Sequence, residues 1–352
     1  MASLLSIHTL APLTPKAFLR IKSVNNQRVG KPVSVLSRAS AMGVQYQLKE
    51  GQSRVFHVLP SGLNMEVIIQ KSTRNDPNED KSENPPLVFV HGSFHAAWCW
   101  AEHWLSFFSQ HGYDCYAVSL LAQGESDSPA GKVAGSLQTH ANDIADFIQK
   151  EVRLSPVLIG HSFGGLIVQS YLSDMRTEHS SGRDNLLPRL AGAVLICSVP
   201  PSGNGGLVWR YLLSKPIAAF KVTLSLAAKA FSTSLPLCKE TFFSPEMEDH
   251  LVRRYQELMK ESSRLPLFDL RKLNASLPVP SIPRSTLQVL VLGASDDFIV
   301  DAEGLNETAR FYGVSPVCIK GVAHDVMLDR SWEKGADVVL LWLNSLNKQN
   351  LV

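Results

Sequence analysis

The sequence predicts an α/β fold in which a mostly parallel sheet is flanked by helices. Three observations support this prediction: short runs rich in Val, Ile and Leu, amphipathic segments between them, and one long helical segment that interrupts the alternation. Runs that are apolar on both faces suit the strands of a buried parallel sheet. Strands that alternate with helices indicate a layered α/β architecture with right-handed crossovers.

The central strands are predicted, in chain order, at 86–92, 113–120, 156–162, 191–199, 287–294 and 315–322. Helical periodicity predicts helices at 98–111, 137–151, 163–175, 301–312 and 331–347. Antiparallel strands at the sheet edge are predicted at 45–49 with 53–58 and at 63–71. The polar cluster 72–86 is predicted to be an exposed loop.

Residues 200–283 form the long interruption. They contain no convincing strand, and a connection of this length is too long for a loop. Helical patterns occur within them at 207–214, 217–231 and 245–262. We therefore predict a helical cap, inserted after the sixth strand, over the carboxyl edge of the sheet. Residues 42–199 and 284–352 then form the α/β core.

The first 49 residues differ in composition from the rest of the chain. They contain seven Lys or Arg, six Ser and no Asp or Glu, whereas the remainder carries 27 basic and 32 acidic residues. A basic, Ser-rich start without an apolar signal core is typical of an organelle transit peptide. The Met-Ala-Ser start favours a plastid address. We predict that residues 1–41 are a disordered transit peptide, cleaved near Arg38 to Ala41, of a chloroplast protein; a basic tail on a cytosolic protein is the alternative.

Several classes of function lack support in the sequence. The five cysteines show no C-x-x-C spacing, so neither a zinc cluster nor a disulfide framework is indicated, and no metal is predicted. No G-x-G-x-x-G follows a strand and no Walker A loop occurs, so we predict no nucleotide cofactor. Basic and aromatic residues are not interleaved as in nucleic-acid-binding proteins. No apolar run reaches the roughly 18 residues of a membrane span.

The stretch "VLIGHSFGGLIV", residues 157–168, places a serine between a predicted buried strand and a predicted helix. The pattern Gly-x-Ser-x-Gly in this context is typical of a nucleophile elbow, a strained turn that Gly160 and Gly164 make sterically possible. Such a turn exposes the hydroxyl of Ser162 at the carboxyl edge of the sheet. The helix that begins at Phe163 directs its unpaired N–H groups towards an oxyanion formed beside that serine.

Two further sequence stretches follow the serine: the first contains candidate acids, and the second contains a candidate base. "VLVLGASDDFIVD" contains the adjacent carboxylates Asp296 and Asp297 just past a strand, and "IKGVAHDVMLD" contains His324 after the last strand. A serine hydroxyl is a weak nucleophile until a base takes its proton. His324 can act as that base near neutral pH, and a carboxylate would fix its tautomer and stabilise the imidazolium. The sequence therefore predicts a Ser-Asp-His triad.

A second oxyanion donor is predicted in "VFVHGSFHAAWCW", which follows the first long buried strand. The His-Gly turn can place a backbone N–H opposite that of Phe163, which gives the two donors that an acyl-transfer oxyanion needs. Ser93, the third residue of the turn, is the predicted donor, and its neighbour Phe94 is the alternative. His91 and Gly92 are expected to shape the turn.

From about Pro86 to Leu346 the chain resembles the α/β-hydrolase superfamily. "HGSFHAAWCW" together with "GHSFGG" is similar to the esterase branch that includes plant methylesterases and hydroxynitrile lyases. The resemblance implies that the triad acid lies three residues after Gly293, which is Asp296, and that Asp297 points elsewhere. The sequence departs from many relatives in "SLLAQGESDSP", where Leu121 and Gln123 replace basic residues. Related epoxide hydrolases and dehalogenases need Asp at the elbow, so Ser162 argues against both activities.

We therefore predict a cofactor-free serine hydrolase that cleaves a carboxylic ester through an acyl-enzyme. A lyase or acyltransferase with the same triad is one alternative, and a ligand-binding protein on the same scaffold is another. The predicted cap has no acidic residue between Asp184 and Glu240, and its basic residues lie among apolar ones. Such helices suit a membrane surface, so contact with an anionic membrane and a lipid-like ester are further hypotheses.

Overall fold

A computed structural model describes residues 45–73, 84–181, 187–214, 216–280 and 287–349. All of them fall within one unit, Gly43–Val352. The predicted transit peptide lies outside the described residues, as does most of the predicted loop 72–86.

The strands span Gln52–Val58, Asn64–Gln70, Leu87–Val90, Cys115–Val118, Val157–His161, Gly192–Ile196, Gln288–Ala294 and Val317–Ile319, and they are numbered β1 to β8 in chain order. They form one sheet in the order β1-β2-β4-β3-β5-β6-β7-β8. The pairs β1–β2 and β2–β4 are antiparallel, and the other five pairs are parallel. The prediction of a mostly parallel sheet with antiparallel strands at one edge is confirmed.

The helices, numbered α1 to α11, span Trp98–Ala101, Trp104–Gln110, Leu137–Glu151, Phe163–Ser181, Gly205–Ser214, Pro216–Ala227, Leu235–Phe242, Asp249–Ser262, Leu270–Ala275, Ala302–Tyr312 and Trp332–Gln349. Side-chain caps begin some of them: Ser136 accepts the N–H of Thr139 before α3, and Asp301 accepts the N–H of Gly304 before α10. Gly313 ends α10 with the left-handed backbone that glycine adopts readily.

The sheet is covered by helices on both faces. Successive residues of a strand point to opposite faces, so in β3 Phe89 joins the apolar cluster that contains α1, α2 and α11, whereas Val88 joins the cluster that contains α3, α4 and α10. All residues of β3 to β6 are buried. This two-sided burial explains why the sequence of the central strands is continuously apolar.

Apart from isolated β-bridges at Ser263 and Phe268, all secondary structure described between β6 and β7 is helical. It consists of α5 to α9 and a 3-10 turn at Ala230–Ser232, so the helical insertion after the sixth strand is confirmed. The details differ from the sequence prediction. The pattern 217–231 is a helix followed by the 3-10 turn, and the short helices α7 and α9 were not predicted.

The predicted edge strand at 45–49 is wrong, because these residues have no strand partner and lead through a turn into β1. Tyr46 is nevertheless buried, and its carbonyl accepts a hydrogen bond from the Arg54 guanidinium at 3.2 Å. The predicted helix 98–111 is also divided into α1 and α2. Among the described residues, no helix is both long enough and apolar enough to span a membrane.

Candidate active site

Ser162 lies at the sharp turn between β5 and α4, where the sequence places it. Its φ of +55° falls in the left-handed region, which a residue with a side chain rarely adopts. The turn is held by backbone hydrogen bonds, since Ser162 N–H donates to the Ile196 carbonyl and the Ser162 carbonyl accepts from Gly165 at 3.0 Å. The surrounding structure therefore maintains a strained conformation at the apex, as is common at functional sites.

The glycines of the turn allow a close approach of three chain segments. A Cβ on Gly160 would lie 2.6 Å from the Gly164 carbonyl oxygen, and a Cβ on Gly164 would lie 2.5 Å from the carbonyl oxygens of Val90 and His91. On the segment after β3, a Cβ on Gly92 would lie 2.8 Å from the Cβ of Ser162. Only glycine fits at these positions. Because Gly92 has no side chain, the His-Gly turn lies directly against Ser162.

His324 contacts Asp297, and this corrects the prediction of Asp296 as its partner. The Nδ1 of His324 lies 2.9 Å from both carboxylate oxygens of Asp297, and the two side chains are 2% and 1% exposed. Asp296 is exposed, and its carboxylate accepts the hydroxyl of Ser295 instead.

Hydrogen bonds after β7 explain why the second carboxylate turns inward. Asp297 Oδ1 accepts the backbone N–H groups of Ile299 and Val300 at 2.8 and 2.9 Å, so the loop folds around this side chain. The helix that follows is capped by Asp301, so Asp297 does not point away from His324 to cap it. The carboxylate that faces His324 therefore lies one residue further beyond Gly293 than the resemblance implies.

The surroundings of His324 raise the pKa of its imidazole. Burial alone would lower its pKa, but the charge of Asp297 and the hydrogen bond to it outweigh burial and raise the pKa above the usual 6.5. The neighbouring ring of His161, 4.7 Å from that of His324 between centroids, stays neutral because burial and the charge of His324 lower its pKa to about 3. His161 Nε2 donates to the His324 carbonyl at 3.0 Å, which fixes the backbone of the base.

The turn after β3 is built as a rigid loop beside Ser162. His91 Nδ1 donates to the Gly92 carbonyl at 2.7 Å, and its Nε2 accepts the N–H of Leu120 at 3.0 Å. Burial lowers the pKa of His91 to about 3, so this imidazole is neutral and shapes the turn, as expected. Ser93 and Phe94 are both partly exposed, and Phe94 has a φ of +69°. On the opposite side, Phe163 is the first residue of α4, whose first N–H groups have no acceptor within the helix.

Aromatic residues of the insertion cover the site. The ring of Phe231 lies 4.8 Å from that of Phe94, and the ring of Phe242 lies 6.5 Å from that of His324. Ser162 is only 7% exposed and His324 only 1%. Aromatic side chains of the insertion therefore pack against the turn after β3 and against His324.

A small cavity of about 70 Å³ lies behind the acid rather than beside the serine. Its walls are formed by residues of β6, β7, β8 and α10, and they include Cys197, Asp297 and Cys318. Liquid water occupies about 30 Å³ per molecule. The space therefore suits water around the Asp297 loop and is too small for an ester substrate.

Two sets of side chains near the site have metal-ligating atoms within 4.8 Å of one another: His161, His324 and Asp325, and Cys197, Asp297 and His324. Both sets include His324, whose Nδ1 already contacts Asp297. A metal held by Cys197, Asp297 and His324 would compete with that contact, so this donor set fits a metal poorly. The buried cluster of His95, His161 and Asp325 behind His324 was not predicted, because its members are far apart in sequence.

The chain was compared with protein families and solved structures. A family model described as "Alpha/beta hydrolase family" matches residues 87–338. An esterase from Exiguobacterium antarcticum has a TM-score of 0.59 at 18% sequence identity, and the match covers 82% of this chain and 99% of that chain. At this identity the likeness shows the fold.

Curated relatives share shorter regions with the chain. Protein phosphatase methylesterase 1 of Bos taurus is 26% identical over 171 residues, which cover 46% of this chain and 42% of the relative. "Putative methylesterase 13, chloroplastic" of Arabidopsis thaliana is 32% identical over 98 residues, which cover 27% of this chain and 21% of the relative. The chain thus spans less than half the length of these curated relatives.

Proposed function

Because the chain belongs to the alpha/beta hydrolase family, we propose that it hydrolyses a carboxylic ester through an acyl-enzyme formed on Ser162. One observation carries the proposal: a buried imidazole, His324, is held through Nδ1 by the carboxylate of Asp297 at 2.9 Å, and its ring lies 4.7 Å from that of His161, the residue before a serine at a strained elbow. This arrangement leaves Nε2 of His324 to accept the serine proton. The similarity to proteins named methylesterases supports an ester as the substrate class.

In the proposed mechanism, Ser162 Oγ attacks the ester carbonyl while Nε2 of His324 takes its proton. Asp297 keeps the other nitrogen protonated and stabilises the imidazolium. The backbone N–H groups of Phe163 and Ser93 bind the negative oxygen of the tetrahedral intermediate. His324 then gives the proton to the leaving alcohol, and water hydrolyses the acyl-enzyme by the reverse sequence. Each step uses only residues of this chain.

Covalent labelling tests this proposal. A fluorophosphonate probe reacts with an activated serine, so the purified protein is expected to be labelled at Ser162, and the variant Ser162→Ala is expected to remain unlabelled. A panel of esters that differ in acyl length and alcohol would then define the substrate. Absence of both labelling and ester turnover in a folded protein would contradict the proposal.

The helices α5 and α6 carry a cluster of exposed apolar side chains, which we name the α5–α6 surface. Its members are 41% to 81% exposed: Val208, Trp209, Leu212, Leu213, Ile217, Phe220 and Leu224. Soluble proteins rarely expose large contiguous apolar patches without a partner. The described cations of these helices, Arg210 and Lys221, form ion pairs with Asp301 and Glu240, each at 2.7 Å. Contact through this surface would therefore depend mainly on its apolar side chains.

We propose that the α5–α6 surface inserts its apolar side chains into the interface of an anionic membrane, and that the substrate is a lipid-like ester. Trp209 and Phe220 suit the boundary between headgroups and acyl chains. The segment around them carries no acidic residue from 185 to 239, so repulsion from anionic lipid is small. The α5–α6 surface belongs to the insertion that also covers Ser162.

Flotation with liposomes tests the membrane contact. The protein is expected to float with anionic vesicles, and the double variant Leu213→Ser with Ile217→Ser is expected to lose this binding. Leu341→Ser is the matched control, because Leu341 is 71% exposed but lies on α11. No flotation of the wild type, together with a preference for short water-soluble esters, would contradict the lipid proposal.

We propose that the protein acts in the chloroplast. The support is the composition of residues 1–49, with seven basic and no acidic side chains, and the similarity to a relative that is named chloroplastic. A fluorescent protein fused to residues 1–49 is expected to enter plastids. Cytosolic fluorescence of that fusion would contradict the proposed location.

A further inference from the structure

A second His–Asp pair lies directly behind the proposed base. Asp325, the residue after His324, is 0% exposed, and its Oδ2 lies 2.8 Å from Nε2 of His95, which is 1% exposed. The two residues are 230 positions apart in the chain. Neither takes part in the mechanism proposed above.

Both ring nitrogens of His95 have hydrogen-bond partners. Its Nδ1 lies 2.8 Å from the carbonyl oxygen of Ser93, which can only accept, so Nδ1 is a donor. Its Nε2 contacts Asp325, and although burial would raise the pKa of that carboxyl, the interaction with His95 lowers it below the usual range. His95 and Asp325 therefore form a buried, hydrogen-bonded acid–base pair.

Aromatic rings and two further histidines surround this pair. Trp98 and Phe242 lie against the His95 ring, with centroids 5.6 and 6.0 Å away. Oδ1 of Asp325 lies 3.7 Å from Nε2 of His161 and has no hydrogen-bond partner among the described residues, and the charge of His324 also acts on this carboxylate. A buried acid–base pair of this kind adds little net stability compared with apolar residues of similar volume. Stability alone does not account for its presence.

The pair connects the two halves of the site. His95 holds the carbonyl of Ser93, the residue whose N–H is the proposed oxyanion donor, and since a trans peptide is planar, this bond also fixes the direction of the N–H of Phe94, the alternative donor. Asp325 is joined to His324 by one peptide bond, and its N–H donates to the Phe242 carbonyl of α7 at 3.0 Å. The oxyanion loop, the proposed base and the helical insertion therefore meet at the His95–Asp325 pair.

We propose that His95 and Asp325 are positioning residues that hold the loop of Ser93 in register with His324 during acyl transfer. This inference rests on the proposed function, because the loop matters for catalysis only if an oxyanion forms beside Ser162. A displaced donor weakens transition-state binding without weakening the binding of the substrate itself. The predicted defect is therefore in kcat and not in KM.

The test compares Asp325→Asn, His95→Gln and the double variant with the wild-type protein. Each single variant is expected to lower kcat by about 10- to 100-fold with little change in KM, which is less than the effect of removing an oxyanion donor outright. Because the two residues act as one unit, the double variant is expected to be no slower than the slower single variant. The matched controls are His57→Gln and Asp146→Asn, since this pair has the same 2.8 Å contact but involves the edge strand β1.

Nuclear magnetic resonance of the 15N-labelled wild type provides a second readout that does not depend on activity. His95, identified by the loss of its signal in His95→Gln, is expected to carry a proton on Nδ1, because the Ser93 carbonyl that this nitrogen contacts can only accept. A His95 without a proton on Nδ1, an unchanged kcat in folded Asp325→Asn, or multiplicative effects in the double variant would each overturn the proposal. Failure of the proposed function would instead appear as a wild type with no ester turnover, and the Nδ1 proton would still decide whether His95 holds the Ser93 carbonyl.

Discussion

At the scale of residues, one loop position decides which carboxylate contacts His324, the proposed base. Asp297 is buried against His324, whereas Asp296 is exposed and bonded to Ser295. The orienting carboxylate matters because it fixes the imidazole tautomer and balances the charge that forms when the serine proton is taken. The two neighbours, which are identical in chemistry, are therefore expected to have very different effects on turnover.

Asp297→Asn is expected to lower kcat by roughly 10³- to 10⁴-fold, because His324 loses both its orientation and the compensating charge. Asp296→Asn is the matched control and is expected to stay within about threefold of the wild type, a change of less than ~1 kcal/mol in activation free energy. Steady-state kinetics with one ester, on variants shown to be folded by circular dichroism, would measure both. The opposite ranking would assign the role to Asp296.

The pH dependence of kcat/KM is expected to reflect His324. Only the neutral imidazole accepts the serine proton, so activity falls as the pH drops through the pKa of this residue. Although burial would lower that pKa, Asp297 raises it, so the midpoint of the acid limb is expected above 6.5. In Asp297→Asn the midpoint of the residual activity is expected to move to lower pH, because burial remains and the charge is gone. A wild-type midpoint well below 6.5 would be inconsistent with the His324–Asp297 contact.

At the scale of elements, the elbow depends on three segments that approach through glycines. β3, β5 and α4 meet where a Cβ on Gly164 would lie 2.5 Å from two carbonyl oxygens, a distance that no real Cβ contact tolerates. These carbonyl groups belong to the backbone and cannot rotate away, as the end of a flexible side chain could. An added Cβ would therefore force the strand–turn–helix unit away from the segment that carries them.

Gly164→Ala is accordingly expected to lower the free energy of unfolding by about 1–3 kcal/mol, the usual cost of overpacking a well-packed site. Gly205→Ala is the control, because Gly205 begins α5 and nothing lies within 4 Å of the position that its Cβ would take. Chemical denaturation would compare the two variants. Equal stability of both would mean that the turn is less tightly packed than the contacts indicate.

The sequence predicts the elements of this fold better than it predicts their contacts. The apolar runs locate the central strands, because burial on both faces leaves a continuous signal. The choice between Asp296 and Asp297 depends instead on the N–H groups of Ile299 and Val300, which only the folded loop brings together. His95 and Asp325 meet across 230 residues, and no local pattern marks such a contact.

At the scale of the whole molecule, α8 ties the insertion to the core. The Trp98 indole donates to the Ser262 hydroxyl at 2.8 Å, and the Arg254 guanidinium contacts the carboxylate of Glu102 at 2.8 and 3.1 Å. Glu102 is only 8% exposed, so its charge depends on these partners. These contacts join α8 to the segment around α1, and they add to the hydrogen bonds of Ser244 with Asp329 and to the Arg210–Asp301 ion pair.

Arg254→Met is expected to destabilise the protein by about 1–3 kcal/mol, because it removes the guanidinium from a largely buried carboxylate. Arg253→Met is the matched control, since Arg253 is the exposed neighbour on the same helix. Thermal or chemical unfolding would measure the difference. If Arg253→Met proved as destabilising as Arg254→Met, the ion pair would not be the contact that ties α8 to the core.

The central claim, an acyl-enzyme on Ser162, is tested most directly by intact-protein mass spectrometry during turnover of an activated ester. The protein is mixed with the ester and quenched in acid within the first turnover. The account predicts a mass increase equal to the acyl group, located on the peptide that contains Ser162 and absent in Ser162→Ala. Rapid ester hydrolysis without any covalent adduct, or with the same adduct in Ser162→Ala, would contradict it.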